Sequence, residues 1–206
     1  MKIQTKQYRK ATGFTLIEMI GVLAVIAILA ALLIPKVFEA INNSRINNAA
    51  VSYNTVKTAL TDHYAKWGSL VSSNGTTIVP GAGTALVFDK VLLMEGFLDK
   101  PFIVKVGDGT GNHVEVMPGL ATNTVASVSN TAYDLDGGGI ENDAGPVAAA
   151  VVQAVITGVT ENDAKDLNDR LDGPTLGSAL GTDDTKGRVK YAAGTPTTVY
   201  IYVTHR

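Results

Sequence analysis

The sequence predicts an α+β protein: one long N-terminal helix, transmembrane over its first half and amphipathic over its second, packed on an antiparallel β-sheet head. Three observations predict it. Residues 14–34 are apolar for 21 positions, broken only by Thr15, Glu18 and Gly21. Apolar residues then recur at helical spacing to Trp67. Residues 68–206 turn rich in Gly, Thr, Val and Asp, the composition of short strands and turns.

The first element is a basic leader, residues 1–13, with Lys2, Lys6, Arg9 and Lys10 and no acid. The whole chain has a formal net charge of −2, with 17 bases and 19 acids; without the leader, 13 bases face 19 acids, a net of −6. No long basic tract remains, which argues against nucleic acid as a main partner. The chain has no cysteine, which excludes disulfides, thiolate metal sites and thiol catalysis.

The second element, residues 14–34, spans roughly 31 Å as a helix, the thickness of a bilayer's hydrocarbon core. Bases precede it and only Lys36 follows closely, so the amino end is expected on the cytoplasmic side. A cleaved secretory signal is the rival. It calls for a shorter apolar core, about 7–15 residues, and a small-x-small cut site. Ala24, Ala27, Ala30 and Ala31 are never two apart. A retained anchor is the favoured reading.

The third element, residues 35–67, carries a stripe of Val37, Ile41, Tyr53, Val56, Leu60, Tyr64 and Trp67, with a gap at the Asn-rich residues 42–48. Pro35 removes a backbone donor and crowds the preceding turn. Because the stripe resumes at Val37, a kink is expected there, not a stop. Gly68 is the expected end.

In the head, residues 68–206, Phe102–Val106 and His113–Met117 read as a hairpin around residues 107–111. Val125–Leu135, Val147–Thr157, Arg188–Ala192 and Thr198–Thr204 are further strand candidates. Leu86–Leu98 reads as a short helix. Thr160 to Asp172 is another, capped by Thr160 and closed by Gly173-Pro174.

The segment Lys10-Ala11-Thr12-Gly13-Phe14-Thr15-Leu16-Ile17-Glu18 joins the basic and apolar blocks. It resembles the class III signal of type IV prepilins and type II secretion pseudopilins, closely over residues 10–67 and weakly beyond. The resemblance implies a pilin-like ladle, with cleavage between Gly13 and Phe14 by a prepilin peptidase and N-methylation of Phe14. It implies a structural subunit of a type IV pilus-like filament, or alternatively a pseudopilin driving protein export. The precursor would be a single-pass inner-membrane protein with a cytoplasmic amino end; the mature form would lie in an extracellular pilus or periplasmic pseudopilus. Implied partners are copies of itself, the peptidase/methyltransferase, the inner membrane and an assembly platform.

Glu18 is unfavourable in lipid, though the positive end of the helix dipole favours an anion there. In the family reading it pairs with the Phe14 amine of a neighbouring subunit and sets axial register. The plainer readings are an interfacial carboxylate or a contact with its own Phe14. Pro35 matches a family proline where the helix bends or locally melts in the filament.

Other candidates carry less. Asp134, Asp136, Glu141 and Asp143 cluster oxygen ligands on a Gly-rich turn, but the EF-hand template fails, since Gly138 and Gly145 stand at its fifth and twelfth positions. A solvated acidic turn is the reading, with calcium the alternative and no other cofactor expected. Gly107–Gly111 lacks the last glycine of a dinucleotide fingerprint. His63, His113 and His205 show no metal-ligand spacing, and His63 is expected to pack or cap. Tyr200 and Tyr202 alternate with apolar residues as in a half-buried strand, and an exposed tyrosine row would suit adhesion. No nucleophile motif is present, and the chain is not expected to be an enzyme.

Overall fold

The computed structural model describes residues 13–70, 86–139, 142–144 and 149–206; leader residues 1–12, Val147 and Glu141 lie outside the described residues. Two compact units are resolved, Met1–Asn42 and Asn43–Arg206, and the boundary falls inside the first helix.

That helix, α1, is Leu16–Trp67 and runs through Pro35 without interruption. Proline lacks only its own N–H, so flanking turns can carry the helix across it. In the first unit α1 buries none of its residues: Leu16, Ile20, Leu23, Ile28, Leu32 and Phe38 are all exposed.

In the second unit α1 buries Ile46, Ala49, Ala50, Tyr53, Val56, Ala59, Leu60 and His63. Spacings of three and four place them on one face. The head-facing stripe therefore starts at Ile46, inside the Asn-rich stretch. Val37 and Ile41, expected to begin it, are exposed. Asn at 43, 47 and 48 lowers helix propensity, but Ile46, Ala49 and Ala50 bury enough surface to fix the turn.

The stripe packs on a five-stranded antiparallel sheet, order β1-β2-β3-β5-β4, with β1 Leu86–Val87, β2 His113–Pro118, β3 Ala150–Val159, β4 Val189–Tyr191 and β5 Thr197–His205. Two short helices complete the head, α2 Asp89–Met94 and α3 Glu161–Leu171. Val114, Val116, Val152, Ala154, Ile156, Val199, Ile201 and Val203 meet the helix in the main core. Tyr53 ties the layers by donating its hydroxyl hydrogen to the Tyr202 carbonyl at 2.8 Å. The opposite sheet face holds a smaller cluster of Val151 and Tyr202 under Tyr133 and Ala144.

Helix α3 forms as its sequence directs, with Thr160 Oγ1 accepting from the Asp163 amide at 3.2 Å. Its far end is locked by Asp172. That carboxylate accepts from the Arg188 and Val189 amides at 2.6 and 2.9 Å, and from Arg188 Nε at 2.9 Å.

Two strand expectations are corrected. Residues 102–106 form no strand, and β2 pairs instead with β1 and β3. Phe102, Val104 and Val106 are buried as a plug in the main core. Side chains meet two carbonyls of this segment: Arg45 Nε donates to Lys105 O at 2.8 Å, and Asn112 Nδ2 to Val104 O at 3.4 Å. Residues 107–111 fold against β3, where Asp108 N donates to Thr157 O at 3.2 Å. Gly107 (φ +78°) is required there, since a Cβ would come within 2.1 Å of Thr157 O. Residues 125–135 form no strand either; Asn130 folds them into turns by accepting from the Ser127 and Ala132 amides, both at 3.1 Å.

Candidate functional site

The N-terminal segment holds the residues singled out for processing and assembly. Gly13 lies before the helix, and a Cβ built on it meets nothing within 4 Å. A side chain at residue 13 would meet open space among the described residues. Phe14 follows at 81% exposure.

Thr15 and Glu18 form a reciprocal cap. Thr15 N and Oγ1 donate to Glu18 Oε2 at 2.7 and 2.8 Å, and Glu18 N donates to Thr15 Oγ1 at 3.3 Å. This is the Thr-x-x-Glu capping box, legible in the sequence but overlooked in favour of the charge. It gives Glu18 a local partner at Thr15, not at Phe14.

Beyond the cap α1 is apolar on every side as far as Ile34, and it is long and apolar enough to cross a membrane by length and composition. A helix apolar all round is stable only when buried, in lipid or among other helices. Residues 8–34 match the family described as the prokaryotic N-terminal methylation motif. The match covers 27 of the 206 residues, from the basic leader through the Gly13-Phe14 junction to Ile34. No curated protein and no solved structure is significantly similar to the chain. An N-terminal methylation motif joined to an apolar helix fits a membrane-anchored precursor.

The head holds the remaining candidates. Asp134, Asp136 and Asp143 place carboxylate oxygens within 4.8 Å of one another, an arrangement that could hold a cation. Each also serves the turn: Asp134 accepts from the Gly139 amide at 2.8 Å, Asp136 from Gly138 at 2.8 Å, and Asp143 from Leu135 at 2.8 Å. Burial, then the Asp136 carboxylate, pushes the Asp134 carboxyl above its ordinary range.

The three histidines sit in separate hydrogen-bonded sets. His63 is fully buried, with Nδ1 at 2.5 Å from Glu95 Oε2 and its ring edge-on to Phe88. His113 Nδ1 meets Gly111 O at 2.6 Å, and His205 Nδ1 meets the Tyr202 hydroxyl at 2.6 Å. Tyr202 is buried under Tyr133 and Tyr200 is half-exposed, so the half-buried strand read from the sequence forms and the alternative of an exposed tyrosine row does not.

Sequence reasoning missed a polar group that the fold brings together. Lys190 is fully buried, and its neighbour Tyr133 donates to Gln153 Oε1 at 2.6 Å while Gln153 Nε2 donates to Glu115 at 2.7 Å. Lys190 stands between two apolar residues in the alternation Val189-Lys190-Tyr191, which reads from sequence as an outward-facing position.

Proposed function

We propose that the chain is a structural subunit of a type IV pilus-like filament. It enters the inner membrane as a precursor, is cut between Gly13 and Phe14, is methylated on Phe14, and polymerises through the first half of α1. The reading rests on the methylation-motif match at residues 8–34 together with a half-helix that buries none of its side chains in its own fold. Lipid covers that surface before assembly, and neighbouring copies cover it afterwards.

Glu18 is ready for this transfer, because the capping box offsets part of the cost of placing its carboxylate near lipid. In the filament the same carboxylate pairs with a neighbour's Phe14 amine. Pro35 permits local adjustment of the helix, since Ala31 O lacks its usual donor four residues on.

Intact-mass measurement and amino-terminal sequencing test the processing step: N-methylphenylalanine 14 is expected. Retention of residues 1–13, or a cut after Ala27 or Ala31, would refute it. Electron microscopy of sheared surface material, with mass spectrometry of the fibres, tests assembly. Short periplasmic filaments without surface fibres would assign the chain to the pseudopilins instead.

A further inference from the structure

Lys190, in strand β4 opposite Tyr200 of β5, is fully buried. Its Nζ donates to the carbonyls of Ser127, Asn130 and Ala132 at 3.0, 2.8 and 2.8 Å, and lies 3.9 Å from the Tyr133 ring centroid. All four groups belong to residues 119–135, which lie over the outer sheet face with no regular secondary structure beyond a single bridge at Asp134. Besides Lys190, Thr131 Oγ1 donates to Pro118 O at 2.8 Å and Tyr133 donates to Gln153, and backbone bonds tie the segment to Ala149, Asn142, Asp143 and Gly187.

Among the described residues, no carboxylate lies at ion-pair distance from Nζ. The groups facing it are uncharged or engaged elsewhere. Tyr200 on β5 and Tyr133 on the segment are phenols raised by burial, hence neutral. Glu115 on β2 reaches Tyr133 only through Gln153, and its other oxygen meets His113 at 3.4 Å. Asp134 turns to Gly139 N, and Arg188, just before the strand, is held by Asp172.

We propose that residues 119–135 form a strap over the outer face of the sheet that proton uptake by Lys190 releases. Three carbonyl dipoles and an aromatic face offset part of the cost of an isolated buried charge, but no anion completes the offset. Burial accordingly pulls the Lys190 ammonium down to about 7. The neutral amine still donates two hydrogens to the same carbonyls and carries no desolvated charge. Lifting the strap returns the side chain to water, where its proton affinity is that of an ordinary lysine. The open form therefore binds the proton more tightly, and acid favours opening. Opening uncovers Tyr202, Val151 and Gln153.

Hydrogen exchange of the membrane-embedded full chain, followed by mass spectrometry across residues 119–135 and corrected for intrinsic rates, tests the strap between pH 5 and 9. The opening constant is expected to be flat below pH 7 and to fall about tenfold per pH unit above it. Amides in the centre of β3 report opening of the whole head, and strap amides are expected to open more often than these at every pH. Lys190→Met, which keeps the length and removes the titration, is expected to abolish the pH dependence. His113→Gln is expected to keep it. A flat or opposite wild-type profile overturns the proposal, as does a Lys190→Met profile parallel to wild type. If Lys190→Met does not fold, the wild-type strap profile decides alone, and strap amides that open no more often than those of β3 overturn the proposal.

Discussion

Removal of residues 1–34 separates the two physical roles of α1. Between Phe14 and Ile34, 14 large apolar side chains are 42–81% exposed in the isolated chain. At about 1–2 kcal/mol each for the exposed fraction, roughly 15–25 kcal/mol of burial awaits lipid or a partner. None of these residues enters the main core, which begins at Ile46. The remaining helix starts at Pro35, a residue suited to a first helical turn because it has no amide hydrogen to satisfy. Residues 35–206 are therefore expected to be soluble, monomeric by light scattering, and cooperative in calorimetry. Their Tm is expected within about 4 °C of the head's transition in the full chain in detergent, since about 1 kcal/mol shifts a domain of this size by roughly 2–4 °C. A larger loss would show that the first half-helix supports the head. Filaments formed by the truncated protein would remove it from the proposed filament core.

Three further perturbations probe individual groups. Glu18→Gln preserves the capping box, because glutamine serves at that position as well, so processing and insertion should be normal while filament yield falls; Glu18→Leu should insert better and still assemble poorly, and normal yield from both would leave Glu18 a helix cap only. Asp172→Ala leaves two amides and the Arg188 guanidinium without their acceptor, and should destabilise the head by about 3–5 kcal/mol in denaturant titration; a loss below about 1 kcal/mol would show that water replaces the carboxylate. Lys190 titrates near 7 in the folded head against 10.5 ordinarily, so between those values the unfolded chain binds more protons and stability rises with pH, by up to about 1.4 kcal/mol per unit; chemical denaturation from pH 7 to 10 should show that rise, and Lys190→Met should lack it.

The sequence by itself determined whatever depends on residues close along the chain. The leader's charge, the length of the apolar block, the Gly13-Phe14 junction, the Thr160 cap and the Gly68 stop are all local patterns, and their physical meaning survives without tertiary partners. The Thr15–Glu18 box belongs to the same class and was equally legible. Tertiary structure alone decided which polar residues went inside and which apolar runs became strands. Phe102, Val104 and Val106 alternate like a strand, yet Arg45 and Asn112 satisfy two of that segment's carbonyls and the side chains fill the core instead. Val125–Leu135 failed as a strand because Asn130 captures its amides locally and Lys190 its carbonyls from a distance. Ile46 could join the buried stripe only because the sheet and its flanking helices offer a surface at that turn. Lys190 and His63 could be buried only because carbonyls and a carboxylate, 58–63 and 32 residues away in sequence, converge on them. Burying a polar group is costly unless partners reach it, and partners that converge from distant parts of the chain are a property of the fold that no local pattern encodes.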